Sequence, residues 1–197
     1  MTPVEARVSA IAARIKQADG VTADGLIAML GSASYGMVVL VLSVLNMLPG
    51  PPGYGGTIAI IIISTTIARL RGGPLRLHGW IGKRTLPAGM LARLIRQMQW
   101  LAALVGKVSR PRLEWQAGPR SEALTGWFIL LVSAPMVVPI PFINAVPNVG
   151  IAVICVSRIN RDGLGVLLGG LIALFGLGIA VAAIWGAVML GRSVLGW

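Results

Sequence analysis

Long apolar blocks alternate with short charged segments along this chain. Uncharged stretches run from Gly25 to Ala68, from Ala123 to Ser157 and from Gly163 to Gly191. A membrane-spanning helix needs about 20 apolar residues, so each block is long enough to enter a bilayer, and the first could cross it twice. Two blocks are interrupted by proline: "LPGPPGY" from Leu48 to Tyr54, and "VPIPFINAVPN" from Val138 to Asn148. The third is unbroken and predicts a C-terminal transmembrane helix over about 163–190. It carries small residues at four-residue spacing, Gly165, Gly169 and Ala173, then Gly178, Ala182 and Gly186. Such ridges let helices approach closely, within one chain or across a homodimer.

The two broken blocks overlay when the sequence is shifted by 90 positions: Gly36 on Gly126, Ser43 on Ser133, Pro49 on Pro139, Pro51 on Pro141, Arg71 on Arg161 and Gly73 on Gly163. A gapless match that includes both prolines and the arginine argues for an internal repeat. Upstream of each block lies an amphipathic stretch. Val4, Val8, Ile11, Ala12 and Ile15 share one helix face, and so do Leu91, Leu94, Ile95, Met98, Leu101, Leu104, Val105 and Val108. Both fit interfacial helices ahead of a membrane hairpin, and the first fits equally a helix packed on the protein's own surface.

The chain therefore reads as an all-α integral membrane protein forming a single membrane domain over 1–197. Repeat one covers about 4–82 and repeat two about 91–163, each an amphipathic interfacial helix plus a proline-broken helical hairpin, with the long helix last. The arm from Asn148 to Ser157 has about ten residues, roughly 15 Å of helix, which is half a bilayer and favours re-entrant hairpins. Arg69, Arg71, Arg120, Arg158 and Arg161 flank both hairpins, which favours entry of both from the cytoplasm. An inverted arrangement would send Leu86 to Gly106 across the bilayer with Arg93 and Arg96, at a cost, and stays open as an alternative.

Composition agrees with the pattern. Of 197 residues 56% are apolar and 12% charged, and the mean hydropathy is +0.84. The net charge of +11 does not point to nucleic acid, because no aromatic-and-basic binding module accompanies it. Eleven of the 17 Lys and Arg lie between Arg69 and Arg120, where anionic headgroups are the expected partner. The single cysteine, Cys155, sits in an apolar run and excludes an intramolecular disulfide. Residues 1–24 lack a secretory-signal pattern and are expected to stay on the protein.

Chemistry concentrates at the breaks. Proline removes a backbone donor and frees a carbonyl, and in lipid such groups are tolerated only beside protein or a wet cavity. Broken helices thereby offer carbonyls and helix ends to ions. The candidate ion or substrate site comprises Asn46, Pro49, Pro51, Tyr54, Pro139, Pro141, Asn144 and Asn148, with Ser43 and Ser133 nearby. None of these ionises near neutral pH. Arg71, Arg112, Glu114, Arg161 and Asp162 are expected as interfacial charges, with Asp162 best suited to cap the last helix. His78 stands in a basic loop without a second metal-type ligand. No phosphate-binding loop, Cys/His cluster or activated nucleophile occurs, so no enzyme activity, cofactor or metal is expected.

The hairpin "PIPFINAVPNVGIAVICVSRINRDG", the central "SRPRLEW" and "LPGPPGYGG" resemble the ExoD family of bacterial membrane proteins. The most specific part is Pro139, Pro141, Phe142, Asn144 and Pro147 followed by Arg161, Asp162 and Gly163, supported by Arg110, Pro111 and Arg112. One departure is "LVGKVS" before Arg-Pro-Arg, where the family pattern often has an acid. The resemblance implies a multi-pass protein of the bacterial inner membrane, connected with exopolysaccharide production and growth at alkaline pH. Combined with the breaks, it leads to the expectation of a transporter or channel-like protein for a monovalent cation or proton, as a homodimer. The alternatives are a non-transporting partner of the polysaccharide assembly machinery, or a translocator of lipid or lipid-linked sugar.

Overall fold

The computed structural model describes residues 2–17, 20–22, 25–26, 35–48, 53–73, 83, 85–110, 119–138 and 143–195. Seven α-helices account for nearly all of them: α1 Pro3–Gln17, α2 Tyr35–Met47, α3 Tyr54–Leu70, α4 Ala88–Val108, α5 Pro119–Ser133, α6 Ala145–Ile159 and α7 Gly163–Leu195. A 3-10 turn, Pro135–Val137, follows α5. Two short strands, β1 Val21–Thr22 and β2 Thr85–Leu86, pair antiparallel.

Helices α2 and α3 form one hairpin, α5 and α6 the other, and each packs on an arm of its neighbour, α2 on α6 and α3 on α5. Both hairpins point the same way. Their open ends meet through Arg69 of α3 and Glu122 of α5, and their tips meet where Gly55 and Gly56 of α3 approach Asn144 and Val137. We call the open ends the base. Arm lengths are 13, 17, 15 and 15 residues, or about 20–26 Å at about 1.5 Å per residue. The second arm of the second hairpin is thus longer than the prolines suggest. Pro147 lies in the first turn of α6, where its missing N–H has no helical partner to lose, so the helix begins before it.

The two second arms end in the same way, one residue off the register read from the sequence. Arg71 and Asn160 are the C-caps, Gly72 and Arg161 take positive φ of 71° and 57°, and Gly73 and Asp162 donate to Ala68 and Ser157, each at 2.8 Å. This is the six-to-one bond that closes a helix on a left-handed residue. The shift of 90 places Arg71 on Arg161 and Gly73 on Gly163, whereas the caps correspond at 89, because Arg161 takes the left-handed position that Gly72 holds after α3.

The amphipathic helices do not lie apart from the bundle. Helix α1 packs antiparallel on α4: Gly106 near the end of α4 touches Thr2 and Glu5, and β1 after α1 pairs with β2 before α4. Val4, Val8, Ile11 and Ile15 interlock with Leu91, Leu94, Met98 and Leu101 in the same core as α2 and α6. The Val4 N–H donates to Asn160 Oδ1 at the base (3.3 Å), while Met90 at the start of α4 meets the Tyr54 hydroxyl at the tips (3.9 Å). The pair therefore runs along the hairpins from base to tip. Thr2 and Glu5 close α1 with a reciprocal capping box.

Helix α7 runs antiparallel to α6 along a seam of small residues. A methyl at Gly169 would stand 2.8 Å from Ile154 N, and methyls at Gly150 and Gly176 would overlap Ala173 and Pro147. Gly165, Gly169 and Ala173 thus serve packing within the chain, while Gly178 and Gly186 meet nothing within 4 Å. Asp162 Oδ1 accepts from the Gly165 N–H (3.2 Å), the cap expected of it. Past Gly176, which lies level with the tips, α7 continues to Leu195, about 28 Å further at about 1.5 Å per residue.

Three substitutions test this packing and the helix cap by thermal unfolding of the purified protein. Gly150→Ala is expected to destabilise by about 1–3 kcal/mol through overpacking, and Gly178→Ala to be neutral or to stabilise by up to about 1 kcal/mol. Arg161→Gly is expected to stabilise by about 1 kcal/mol, because glycine takes the left-handed position without the Cβ penalty.

Candidate functional site

The tips bring together groups that are far apart in sequence. Asn46 lies in the last turn of α2, Gly55 and Gly56 in the first turn of α3, Val137 closes the 3-10 turn, and Asn144 immediately precedes α6 without a side-chain capping bond, with Asn148 one turn on. Gly55 stands between two amides: a methyl there would overlap Asn144 Nδ2 and come to 3.2 Å from Asn46 Oδ1. A methyl on Gly56 would stand 2.7 Å from the Val137 carbonyl oxygen. At Gly56, where the neighbour is backbone, only glycine lets α3 approach the other hairpin this closely; at Gly55 the neighbours are the ends of two amide side chains.

The amides are buried and incompletely paired. Asn46 is 6% exposed and Asn148 fully buried. Asn148 Nδ2 donates to the Asn144 carbonyl (2.7 Å) and contacts Met136 Sδ (3.3 Å). The carbonyl partner fixes which side of the Asn148 amide is oxygen. Asn46 Oδ1 and Nδ2, Asn144 Oδ1 and Asn148 Oδ1 have no hydrogen-bond partner among the described residues, and neither do the Ser43 and Ser133 hydroxyls. An unpaired buried polar atom costs about 1–3 kcal/mol, so a group of this size is unfavourable unless something else satisfies it.

The remaining expected residues fall elsewhere. The Tyr54 hydroxyl reaches toward Met90 on α4 rather than joining the amides. Arg71, Arg161 and Asp162 lie at the base, the arginines exposed. Pro49, Pro51, Pro139, Pro141, Arg112, Glu114 and His78 lie outside the described residues.

The base holds the polar ties between hairpins. Arg158 Nη1 donates to Ser121 Oγ (2.9 Å), Thr125 Oγ1 (2.8 Å) and the Ser121 carbonyl (3.2 Å), clamping α6 to α5. Arg69 pairs with Glu122 at 2.7 Å, and that bond raises the arginine pKa above its ordinary value. The Tyr35 hydroxyl donates to Thr66 Oγ1 (2.8 Å), which donates to the Ile62 carbonyl, joining α2 to α3. Glu5, Glu122 and Asp162, the acids among the described residues, all belong to this end. No group of three or more metal-type ligands occurs among the described residues.

The exterior is two-sided. On α5 and α7 large apolar residues face outward, among them Trp127 (64% exposed), Leu171, Phe175 and Trp185. On α4 the exposed residues include Arg93, Arg96 and Lys107 around Trp100. Helix α7 is long and apolar enough to cross a membrane, with 22% of that stretch buried.

Removing the base ties separates their weights. Arg158→Ala is expected to cost about 2 kcal/mol, because three hydrogen bonds from one charged group are lost from a half-buried site. Arg69→Ala, at an exposed ion pair, is expected to cost no more than about 1 kcal/mol. Denaturant unfolding of both variants at equal protein concentration gives the comparison.

No curated protein and no solved structure matches the sequence. The family model described as "Exopolysaccharide synthesis, ExoD" matches residues 4–183. That is nearly the whole sequence, and with the all-helical fold and its long apolar last helix it establishes that the chain belongs to the ExoD family, connected with exopolysaccharide synthesis.

Proposed function

We propose that this protein works in the bacterial inner membrane as a transporter or channel-like protein for a monovalent cation, and so supports exopolysaccharide production and growth at alkaline pH. The carrying observation is the set of buried amides at the meeting point of the two tips, with oxygens left without donors. A proton relay is the weaker form of the reading. Among the described residues the tips hold no carboxylate or histidine, and Tyr54 turns to α4.

Depth supports the reading. With α7 as a ruler, base and tips are separated by the span from Gly163 to Gly176, about 20 Å, whereas the hydrocarbon core is about 30 Å thick. Hairpins of that length enter from one side and end inside as re-entrant elements, while α7 crosses completely. Trp127, Leu171, Phe175 and Trp185 then face lipid. Arg93 and Arg96 do not, since a cation at the centre of a span costs about 2.5–3.5 kcal/mol or more. The α1 and α4 side faces water or anionic headgroups in this arrangement. Two hairpins built alike, crossing arms and pointing the same way, fit a parallel internal repeat.

Reconstitution in liposomes tests the proposal. Sodium or potassium flux above that of empty liposomes is expected under an imposed gradient, and no flux under any gradient removes the reading. In cells, Asn144→Leu at normal abundance is expected to abolish alkaline tolerance, and retained tolerance contradicts it.

A further inference from the structure

The geometry points to a defined ligand position between the tips: a partly dehydrated monovalent cation held by the side-chain oxygens of Asn46, Asn144 and Asn148, with Gly55 setting its size. This deepens the transport reading, on which it rests for the tips' place inside the membrane. Asn46 and Asn144 flank Gly55 there, and Asn148 follows one turn along α6; their buried unpaired atoms are three oxygens and the nitrogen of Asn46, while Asn144 Nδ2 is the atom nearest to a methyl built on Gly55. The Asn148 oxygen is assigned by its own N–H, which is engaged with the Asn144 carbonyl at 2.7 Å. Turning the Asn144 amide over about its last torsion brings Oδ1 to face Gly55 in place of Nδ2, and the site then presents oxygens to a cation.

The charge of that cation follows from what surrounds it. The described acids all belong to the base, so among the described residues no carboxylate stands at the tips to offset a second positive charge. Hard divalent ions take carboxylate oxygens or keep their waters, whereas a monovalent ion gives up water to neutral oxygens at lower cost. An anion is disfavoured although α3 and α6 both begin here. The ends of α2 and of the 3-10 turn lie at the same tips, and their carbonyl ends oppose the two helix N-termini. Asn46, 94% buried by its 6% exposure and unpaired at both amide atoms, is aimed at the first turn of α3. Gly55 lies between Asn46 and Asn144, so an added methyl takes space from the position between them.

The test is equilibrium binding, which needs no transport. Purified full-length protein in nanodiscs of neutral phosphatidylcholine is titrated with lithium, sodium, potassium, rubidium or caesium chloride at constant ionic strength, choline replacing the ion. Calorimetry and thermal unfolding are the readouts. One or two alkali ions are expected to bind and raise the unfolding temperature over choline, with calcium giving no such preference. Asn148→Leu is expected to weaken binding at least tenfold, and Gly55→Ala to shift preference toward smaller ions. Because either variant could fail to fold, Asn46→Asp serves as a gain-of-affinity control: it adds a carboxylate and is expected to tighten binding tenfold and make it pH-dependent. No difference from choline in the wild-type protein overturns the inference. So does binding unchanged in folded Asn148→Leu and Asn46→Asp. Binding without flux in liposomes keeps the site and removes the transport reading, whereas flux that ignores all three substitutions keeps transport and removes the site.

Discussion

One close approach organises the molecule: Gly55 and Gly56, at the start of α3, against Asn144 and Val137 of the other hairpin. Without side chains at these two positions the tips come to van der Waals distance, and Asn46 and Asn144 are brought to either side of Gly55, with the buried Asn148 one turn further along α6. A methyl at Gly56 would meet the Val137 backbone and force the hairpins apart, whereas one at Gly55 would displace the ends of two side-chain amides. The tips are where helical hydrogen bonding stops, so their polar groups need partners in each other, in water or in a ligand.

That approach is held from behind. The α6 and α7 glycine seam fixes the second hairpin against the long helix, and backbone-to-backbone packing of this kind does not adjust by rotamer changes. At the base, Arg158 ties α6 to α5 and Arg69 ties α3 to Glu122, so both hairpins keep their open ends together. Along one side, α1 and α4 close the core with interlocked aliphatic stripes, leaving their charged faces outward. The result is a bundle with large apolar residues outward on α5 and α7 and with Arg93, Arg96 and Lys107 outward on α4.

Much of this was legible in the sequence. The apolar blocks, the breaks and the capping role of Asp162 follow from local chemistry, as does the last helix, which runs five residues beyond the expected 190 to Leu195. Asn46, Asn144 and Asn148 stood out because amides are rare in apolar runs. What composition hid was relational. Nothing in the sequence around Gly55 and Gly56 points to their partners in the other hairpin, Asn144 and Val137, more than eighty positions away. Arg158 and Ser121 are 37 positions apart with no pattern linking them. The stripes of α1 and α4 read correctly as apolar faces, but a stripe does not say whether lipid or another helix covers it. The register of the helix ends differed because Arg161 occupies a left-handed position that the sequence alone assigns to glycine.

The central claim is that the two hairpins lie side by side, point the same way and meet at their tips. Pulsed electron-resonance distances between spin labels test it directly, in the membrane-reconstituted protein with Cys155 replaced by alanine. Labels at Thr57 and Ala145 report tip to tip, at Arg71 and Arg120 base to base, and at Thr57 and Arg120 tip to base. The account predicts that both like pairs are shorter than the tip-to-base pair by about the length of an arm, roughly 20 Å. A short Thr57 to Arg120 distance with long like pairs would mean that the hairpins are inverted relative to each other, and would contradict it.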